Sequence, residues 1–334
     1  MHSFAFFQAI EKQISNCSIL RQKYKDVKNL SSMIPASFCV DGLIFEAHID
    51  QDESPVDISY FLGSPRCELL SDASNLATVS PAWEILRGLL NRWNDGTSLF
   101  AKSIYGIWLE FDLPASNPLE PSIFLSLKEG YASPIEVLND LSFIPPDYKK
   151  TTTSFIEQVN EGACVKQIGF MAAREKSPIR LCLAGIDKQF ERFLRKIGYP
   201  HELDEFIEIY NELAVYCDRV DLAIDITERV EDRIGLEFFM QSANPDKDPL
   251  CFKVYETLVK RGLCTPRNQD ELANFFKKEE IEIQGRKFTS IKSVSHLKLC
   301  YSPTQGIRAK SYFWLKHIPY VHESVFSPEL LAEL

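Results

Sequence analysis

Residues 165–226 read VKQIGFMAAREKSPIRLCLAGIDKQFERFLRKIGYPHELDEFIEIYNELAVYCDRVDLAIDI. Val165–Ala172 and Ile179–Gly185 are short, partly alternating apolar runs, and Lys176-Ser177-Pro178 between them reads as the turn of a β-hairpin. Lys188–Ile197 then switches to helical spacing, with Phe190, Phe193, Leu194 and Ile197 on one face and Gly198 and Pro200 as the stop. Leu203–Tyr216 gives a second helix, with Phe206, Ile207, Tyr210, Leu213 and Ala214 on its apolar side. The chain returns to strand spacing at Arg219–Ile226. The order is strand, strand, helix, helix, and the search for its repetition decides the fold.

Toward the C-terminus, Ile234–Gln241 completes a second strand pair, Phe252–Arg261 and Asp270–Lys278 read as helices, and His296–Tyr301 with Ile307–Leu315 is a last hairpin around residues 302–306. Toward the N-terminus, Phe38–Ile49 and Val56–Gly63 are strands, Pro81–Trp93 is a helix, Ile104–Leu113 and Ser122–Leu127 are strands, and Pro134–Leu141 and Ser154–Glu161 are helices. The pattern recurs about five times. Strand pairs separated by helix pairs predict an antiparallel sheet with helices on one face. Ten such strands close into a barrel that has no free edges. The expected fold is α+β: one ten-stranded antiparallel barrel ringed by helices over residues 1–334, with 1–34 as an N-terminal helical extension.

Strand parity makes the barrel specific. In Ile307–Leu315 one face carries Arg308, Lys310, Tyr312 and Trp314, and the other carries Ile307, Ala309, Ser311, Phe313 and Leu315. His296, Lys298 and Cys300 oppose Leu297, Leu299 and Tyr301. Trp108, Glu110 and Asp112 oppose Ile107, Leu109, Phe111 and Leu113. Gly235, Glu237, Phe239 and Gln241 share a face, and Asp221 and Asp225 oppose Val220, Leu222 and Ile224. The apolar sets suit a helix-covered outer wall. The polar sets mix charge with aromatic rings, as a ligand-binding lumen would. An open sheet with its polar face in solvent is the competing reading of the same alternation.

The sharpest local motif is Arg308-Ala309-Lys310-Ser311-Tyr312. It sets two cations and a phenol on one face of a strand, with successive rungs ~6.5–7 Å apart, a span that brackets a diphosphate. Lys298 on the preceding strand adds a third cation. Arginine grips phosphate oxygens bidentately, lysine supplies point charge, and tyrosine donates a hydrogen bond.

The strand-strand-helix-helix order over about residues 35–320, with this Arg-x-Lys-x-Tyr strand, resembles the ABBA-fold (PT-barrel) aromatic and peptide prenyltransferases. The resemblance implies a lumen that holds an allylic diphosphate, dimethylallyl or geranyl, over an aromatic or other nucleophilic acceptor on a small molecule or peptide. It makes Lys298, Arg308, Lys310, Tyr312 and Arg180 the expected diphosphate ligands, with Lys166 as a further cation. It makes Trp108, Phe124, Glu237, Phe239 and Trp314 the expected prenyl and acceptor pocket. A strand carboxylate binding the acceptor N–H points to Glu110 with Asp112, and Glu46 and Glu237 are reserves. Cations at the leaving group stabilise its developing charge, and aromatic faces shield the carbocation. A non-catalytic barrel that binds a peptide or anionic ligand as a biosynthetic partner is the alternative.

The remaining features narrow the class. No Asp-Asp-x-x-Asp run, phosphate loop or other common catalytic motif is present, and the six histidines show no metal spacing. Neither a metal site nor a cofactor is expected from the residues, although magnesium is compatible with the chemistry. His296 is the one histidine placed to act as an acid, base or hydrogen-bond donor. Asn244-Pro245-Asp246-Lys247-Asp248 reads as a turn, and Ser327–Leu334 as a short closing helix. The 37 Lys and Arg against 47 Asp and Glu give a formal charge of −10, which disfavours nucleic acid as a partner. Nine scattered cysteines, no apparent secretory signal and no long apolar run lead to the expectation of a reduced, cytoplasmic protein without a membrane span.

Overall fold

Strand alternation is realised as one antiparallel sheet that closes on itself. The computed structural model describes residues 11, 14–21, 24–39, 41–52, 56–113, 119–159, 163–186, 190–201, 203–240, 250–283 and 286–319. The strands are β1 (Leu43–His48), β2 (Val56–Leu62), β3 (Ile104–Phe111), β4 (Ser122–Leu127), β5 (Cys164–Phe170), β6 (Ile179–Ala184), β7 (Arg219–Ile226), β8 (Val230–Phe239), β9 (Lys277–Ile283), β10 (Arg286–Ser302) and β11 (Gly306–Pro319). Neighbours run β1 to β8 in order, then β10, then β11, which pairs back to β1. Ten strands therefore form the closed barrel and β9 lies outside it.

Two or three helices fill each of the connections β2–β3, β4–β5, β6–β7 and β8–β9. Helices α1 (Ser18–Arg21) and α2 (Tyr24–Met33) precede β1, and α3 (Cys67–Leu76), α4 (Pro81–Asp95) and α5 (Leu99–Ser103) follow β2. α6 (Pro134–Asp140) and α7 (Pro146–Val159) follow β4, α8 (Phe190–Lys196) and α9 (Asp204–Ala214) follow β6, and α10 (Leu250–Lys260) and α11 (Pro266–Ala273) follow β8. The hairpins thus gather at one end of the barrel and the helical connections at the other. In the β5–β6 hairpin, Lys176 and Ser177 take positive φ values of 63° and 43°.

The apolar core lies between the outer strand face and the helices. Phe45, Tyr60, Phe111, Phe238 and Phe313 from the strands and Trp83 from α4 are fully buried there. Each such side chain contributes about 1.5–3 kcal/mol by leaving water. Tyr60 meets Phe111 edge to face at 5.8 Å, and Trp83 Nε1 donates to the Leu119 carbonyl at 2.9 Å.

Several boundaries differ from the sequence reading. The helix expected at Asp270–Lys278 ends at Ala273, and Lys277 begins β9. The stretch Lys277-Lys278-Glu279-Glu280-Ile281-Glu282-Ile283 has only Ile281 and Ile283 as apolar residues on one face, and its backbone partners come from the Arg286–Lys292 half of β10 that follows it. The last hairpin is far longer than His296–Tyr301 and Ile307–Leu315, because β10 and β11 extend past the barrel to bind β9 and each other. The strand expected from Phe38 begins at Leu43, after a 3-10 turn at Ala36–Cys39. α7 starts at Pro146, eight residues before Ser154, and the helix Cys67–Leu76 was not read from the sequence at all. The turn at 244–248 and the helix at 327–334 lie outside the described residues. Among the described residues no helix is long and apolar enough to cross a membrane.

Candidate active site in the barrel lumen

The inward strand faces enclose a cavity of about 550 Å³. Lys128, Lys166, Arg180, Arg219 and Lys298 supply five cations to its lining, and Glu110, Glu129, Asp221 and Glu237 supply four carboxylates. Trp108, Phe124, Phe239, His296 and Tyr312 supply rings.

One wall is a column of stacked groups built by a β-bulge. Val294 pairs with Phe313 and His296 with Tyr312, so Ser295 is the extra residue and the strand re-aims His296 inward. Its ring stacks on Tyr312 at 4.0 Å and on Phe239 at 4.7 Å between centroids. The Arg219 guanidinium caps the column 4.0 Å over Phe239, and Lys298 Nζ lies 5.9 Å from the Tyr312 ring. Burial of the imidazole pushes His296 down to about 4, so it is neutral at pH 7. Ser295 Oγ lies 3.1 Å from its Nδ1.

The facing wall comes from β2–β5. Phe61 meets Trp108 at 4.5 Å with the rings tilted by 35°, and Trp108 pairs with Phe124 across β3 and β4. Phe124 lies flat because its neighbour on β5 is Gly169, where a Cβ would come within 2.6 Å of the ring. Gly235 acts the same way beneath Lys298: a Cβ there would lie 2.5 Å from Lys298 Cε.

Charge is neutralised in pairs across neighbouring strands. Lys298 donates to Glu237 at 2.8 Å, and the ammonium holds that carboxyl below its usual range against the cost of burial. Arg180 grips Asp225 through two hydrogen bonds of 2.7 and 2.8 Å, and Asp225 falls to about 2. Lys310 donates to Glu46, whose carboxyl is also hydrogen-bonded to Tyr312, and Glu46 is held well below its usual range. Asp57, directly opposite Glu46 in register and 3.9 Å from Lys310, rises to about 7 through burial and the adjacent Glu46 charge. Burial likewise raises Glu110, which accepts from Arg174 at 3.1 Å.

Of the expected site residues, the fold brings Glu110, Arg180, Glu237, Lys298, Tyr312, Trp108, Phe124 and Phe239 together on the cavity. It separates four from it. Arg308 sits at the hairpin end, held by Asp50, and Lys310 is buried under the cavity against Glu46. Asp112 lies beside Arg174 at 3.6 Å, half exposed, and the Trp314 ring lies 5.7 Å from Lys316 Nζ. Strand parity puts Arg308, Lys310 and Tyr312 on one face, but their depth follows from barrel register, and only Tyr312 reaches the cavity. The sequence reading left Lys128, Arg219, Asp221 and Ser295 out of the site. Arg219 and Asp221 were legible as same-face neighbours at the start of β7; Ser295 required the bulge. Among the described residues no cluster of three or more His, Cys, Asp or Glu side chains is set to hold a metal ion.

No family model matches the sequence, and no curated protein matches it either. Solved structures do match over almost the whole chain. Prenyltransferase PriB, in ternary complex with L-tryptophan and dimethylallyl thiolodiphosphate, aligns with TM-score 0.54 at 8% identity, over 95% of this chain and 98% of its own. NotF, in complex with brevianamide F and DMSPP, aligns with TM-score 0.54 at 9% identity, over 96% of both chains. The 5-dimethylallyl tryptophan synthase from Streptomyces coelicolor, in complex with DMASPP and Trp, aligns with TM-score 0.50 at 10% identity, over 97% of both chains. At these identities the likeness concerns the backbone, and with the ten-stranded closure and the intervening helix pairs it identifies the fold as the ABBA prenyltransferase barrel.

Proposed function

We propose that the chain is a prenyltransferase that moves a short prenyl group, dimethylallyl or geranyl, from an allylic diphosphate to an aromatic acceptor inside the lumen. The observation that carries this reading is the cavity of about 550 Å³ within a closed barrel, with aromatic rings on two walls and five cations in its lining. Its support from outside the chain is that proteins of the same fold hold allylic diphosphate analogues with tryptophan or brevianamide F.

In this reading Lys298, Arg180 and Tyr312 receive the diphosphate, joined by Arg219, Lys166 and Lys128. Arg308 and Lys310 work from beneath by holding Asp50 and Glu46. The allylic C–O bond breaks with its electron pair going to the diphosphate, and the lining cations stabilise that charge. The rings of Trp108, Phe124, Phe239 and Tyr312 screen the carbocation from water. A new bond forms between the allylic carbon and a nucleophilic atom of the acceptor, and the displaced proton passes to Glu110. Burial raises Glu110 and makes it a better base, and Asp112 shares the positioning of Arg174. A peptide presenting an aromatic side chain belongs to the same acceptor class.

A second reading is favoured by one observation: the deepest cations, Lys298, Arg180 and Lys310, are already neutralised by Glu237, Asp225 and Glu46. A lumen so balanced suits a barrel that binds its ligand without ionising a diphosphate. Incubation with dimethylallyl diphosphate and tryptophan, indole or a tryptophan-containing peptide, followed by mass spectrometry, separates the two. Prenylated product with released pyrophosphate is expected. Diphosphate binding with no product from any acceptor selects the binding role.

A further inference from the structure

Among the four carboxylates lining the cavity, only Asp221 has a buried oxygen without an in-line hydrogen bond. Glu110 accepts from Arg174, Glu129 from Lys166 and Glu237 from Lys298. Asp221 is 4% exposed and lines the cavity, yet its Oδ1 makes no hydrogen bond. Arg219 Nε lies 3.0 Å from that oxygen but out of line, because the guanidinium is laid on the Phe239 ring. Asp221 also stands directly opposite Glu237 in the β7–β8 register, an arrangement of like charges that costs free energy unless a cation is near. A buried carboxylate whose close cation is a misaligned, 48%-exposed arginine, with Lys166 acting on it only by charge, is short of one good donor.

We propose that Asp221 is a recognition subsite for a cationic amine on the acceptor, and that Arg219 is its displaceable placeholder. The ring column of Phe239, His296 and Tyr312 beside it sets the aromatic part of the same ligand, so the acceptor class is an aromatic amine with its ammonium at the mouth of the cavity. An arriving ammonium aligns a charge-assisted hydrogen bond with Asp221. Arg219 is then released toward the cavity lining. The assignment rests on the reading of the lumen as the acceptor site, but its test needs no turnover.

The test is calorimetric titration of tryptamine and of indole-3-propionate into the full-length protein without diphosphate. Wild type is expected to bind tryptamine about tenfold or more tightly than the anionic analogue. Asp221→Asn, which keeps the side-chain shape and removes one of two opposed charges, is expected to erase that preference. Arg219→Ala, which removes the competitor, is expected to tighten tryptamine several-fold, and a merely structural role for Arg219 gives no such gain. Unchanged tryptamine affinity in Asp221→Asn, or weaker tryptamine binding in Arg219→Ala, overturns the assignment. Absence of prenyl transfer with the tryptamine preference intact overturns the enzymatic reading and leaves this subsite standing.

Discussion

The two ends of the lumen use charge in opposite ways. Near the hairpins, Arg180 with Asp225 and Lys310 with Glu46 are sealed, each side chain at most 9% exposed. Near the helical connections, Arg219 and Lys166 are 48% and 31% exposed, and Arg219 rests on a ring rather than in an aligned ion pair. Buried pairs of this kind hold each other out of necessity, since either partner alone would be an uncompensated charge. Half-exposed cations lose little when they turn to a ligand. The floor is therefore fixed by its own ion pairs, from which Arg180 reaches the cavity, and the mouth and middle supply the cations freest to turn toward an anion and an acceptor.

Removing one partner from the floor breaks that contrast most severely. Arg180→Leu is expected to cost about 3–5 kcal/mol in urea denaturation, because Asp225 is left buried and unpaired. The double change Arg180→Leu with Asp225→Leu is expected to cost less than the single one, and an equal or greater cost contradicts the assignment of the loss to the lone carboxylate.

The next effect is read in pH. His296 is depressed to about 4 in the fold, against an ordinary value near 6.5, so the unfolded chain binds a proton that the native chain refuses. Stability contributed this way is present above the unfolded value and is lost as pH falls from about 6.5 toward 4, by an amount on the order of 3 kcal/mol. Asp57 has the opposite sign: with its pKa raised to about 7, it costs stability as pH rises from about 4 to 7. Over that window Asp57→Asn is expected to gain on wild type and His296→Phe to gain in the reverse direction, toward acid. Parallel slopes for both variants contradict the environments assigned to these two groups.

Packing gives a smaller signal. Gly169→Ala is expected to cost about 1–3 kcal/mol, because the Phe124 ring at 2.6 Å must leave the wall. The least effect belongs to the mouth: Arg219→Ala is expected to change stability by less than about 1 kcal/mol. A loss as large as that from Arg180→Leu erases the distinction between mouth and floor.

Alternation along β3, β7 and β11 was legible because each strand has one wall against helices and one against the lumen, and a period of two states that directly. What parity does not encode is depth. Glu46 meets Lys310 and Asp50 meets Arg308 only because β1 pairs with β11 at a particular register. That register places Lys310 under the cavity rather than in it. The outer strand β9 was misread for a related reason. Its charged residues suit an exposed edge, and the partner that makes it a strand is the extension of β10. The helix Cys67–Leu76 buries only Leu69 and Ala73, too narrow a stripe to announce a helix. Parity with Lys298 made His296 legible, but Ser295 depends on a bulge just before it that shifts the parity of β10, which no local pattern reveals.

The central claim is that an allylic diphosphate binds in the lumen through its middle cations. It is tested most directly by calorimetric titration of dimethylallyl diphosphate into wild type and into Lys298→Met with Glu237→Gln. The second change prevents a lone buried carboxylate from unfolding the variant. One binding event per chain in wild type, weakened about tenfold or more in the double variant, is the expected result. No binding heat in wild type, or equal affinity in a folded double variant, contradicts it.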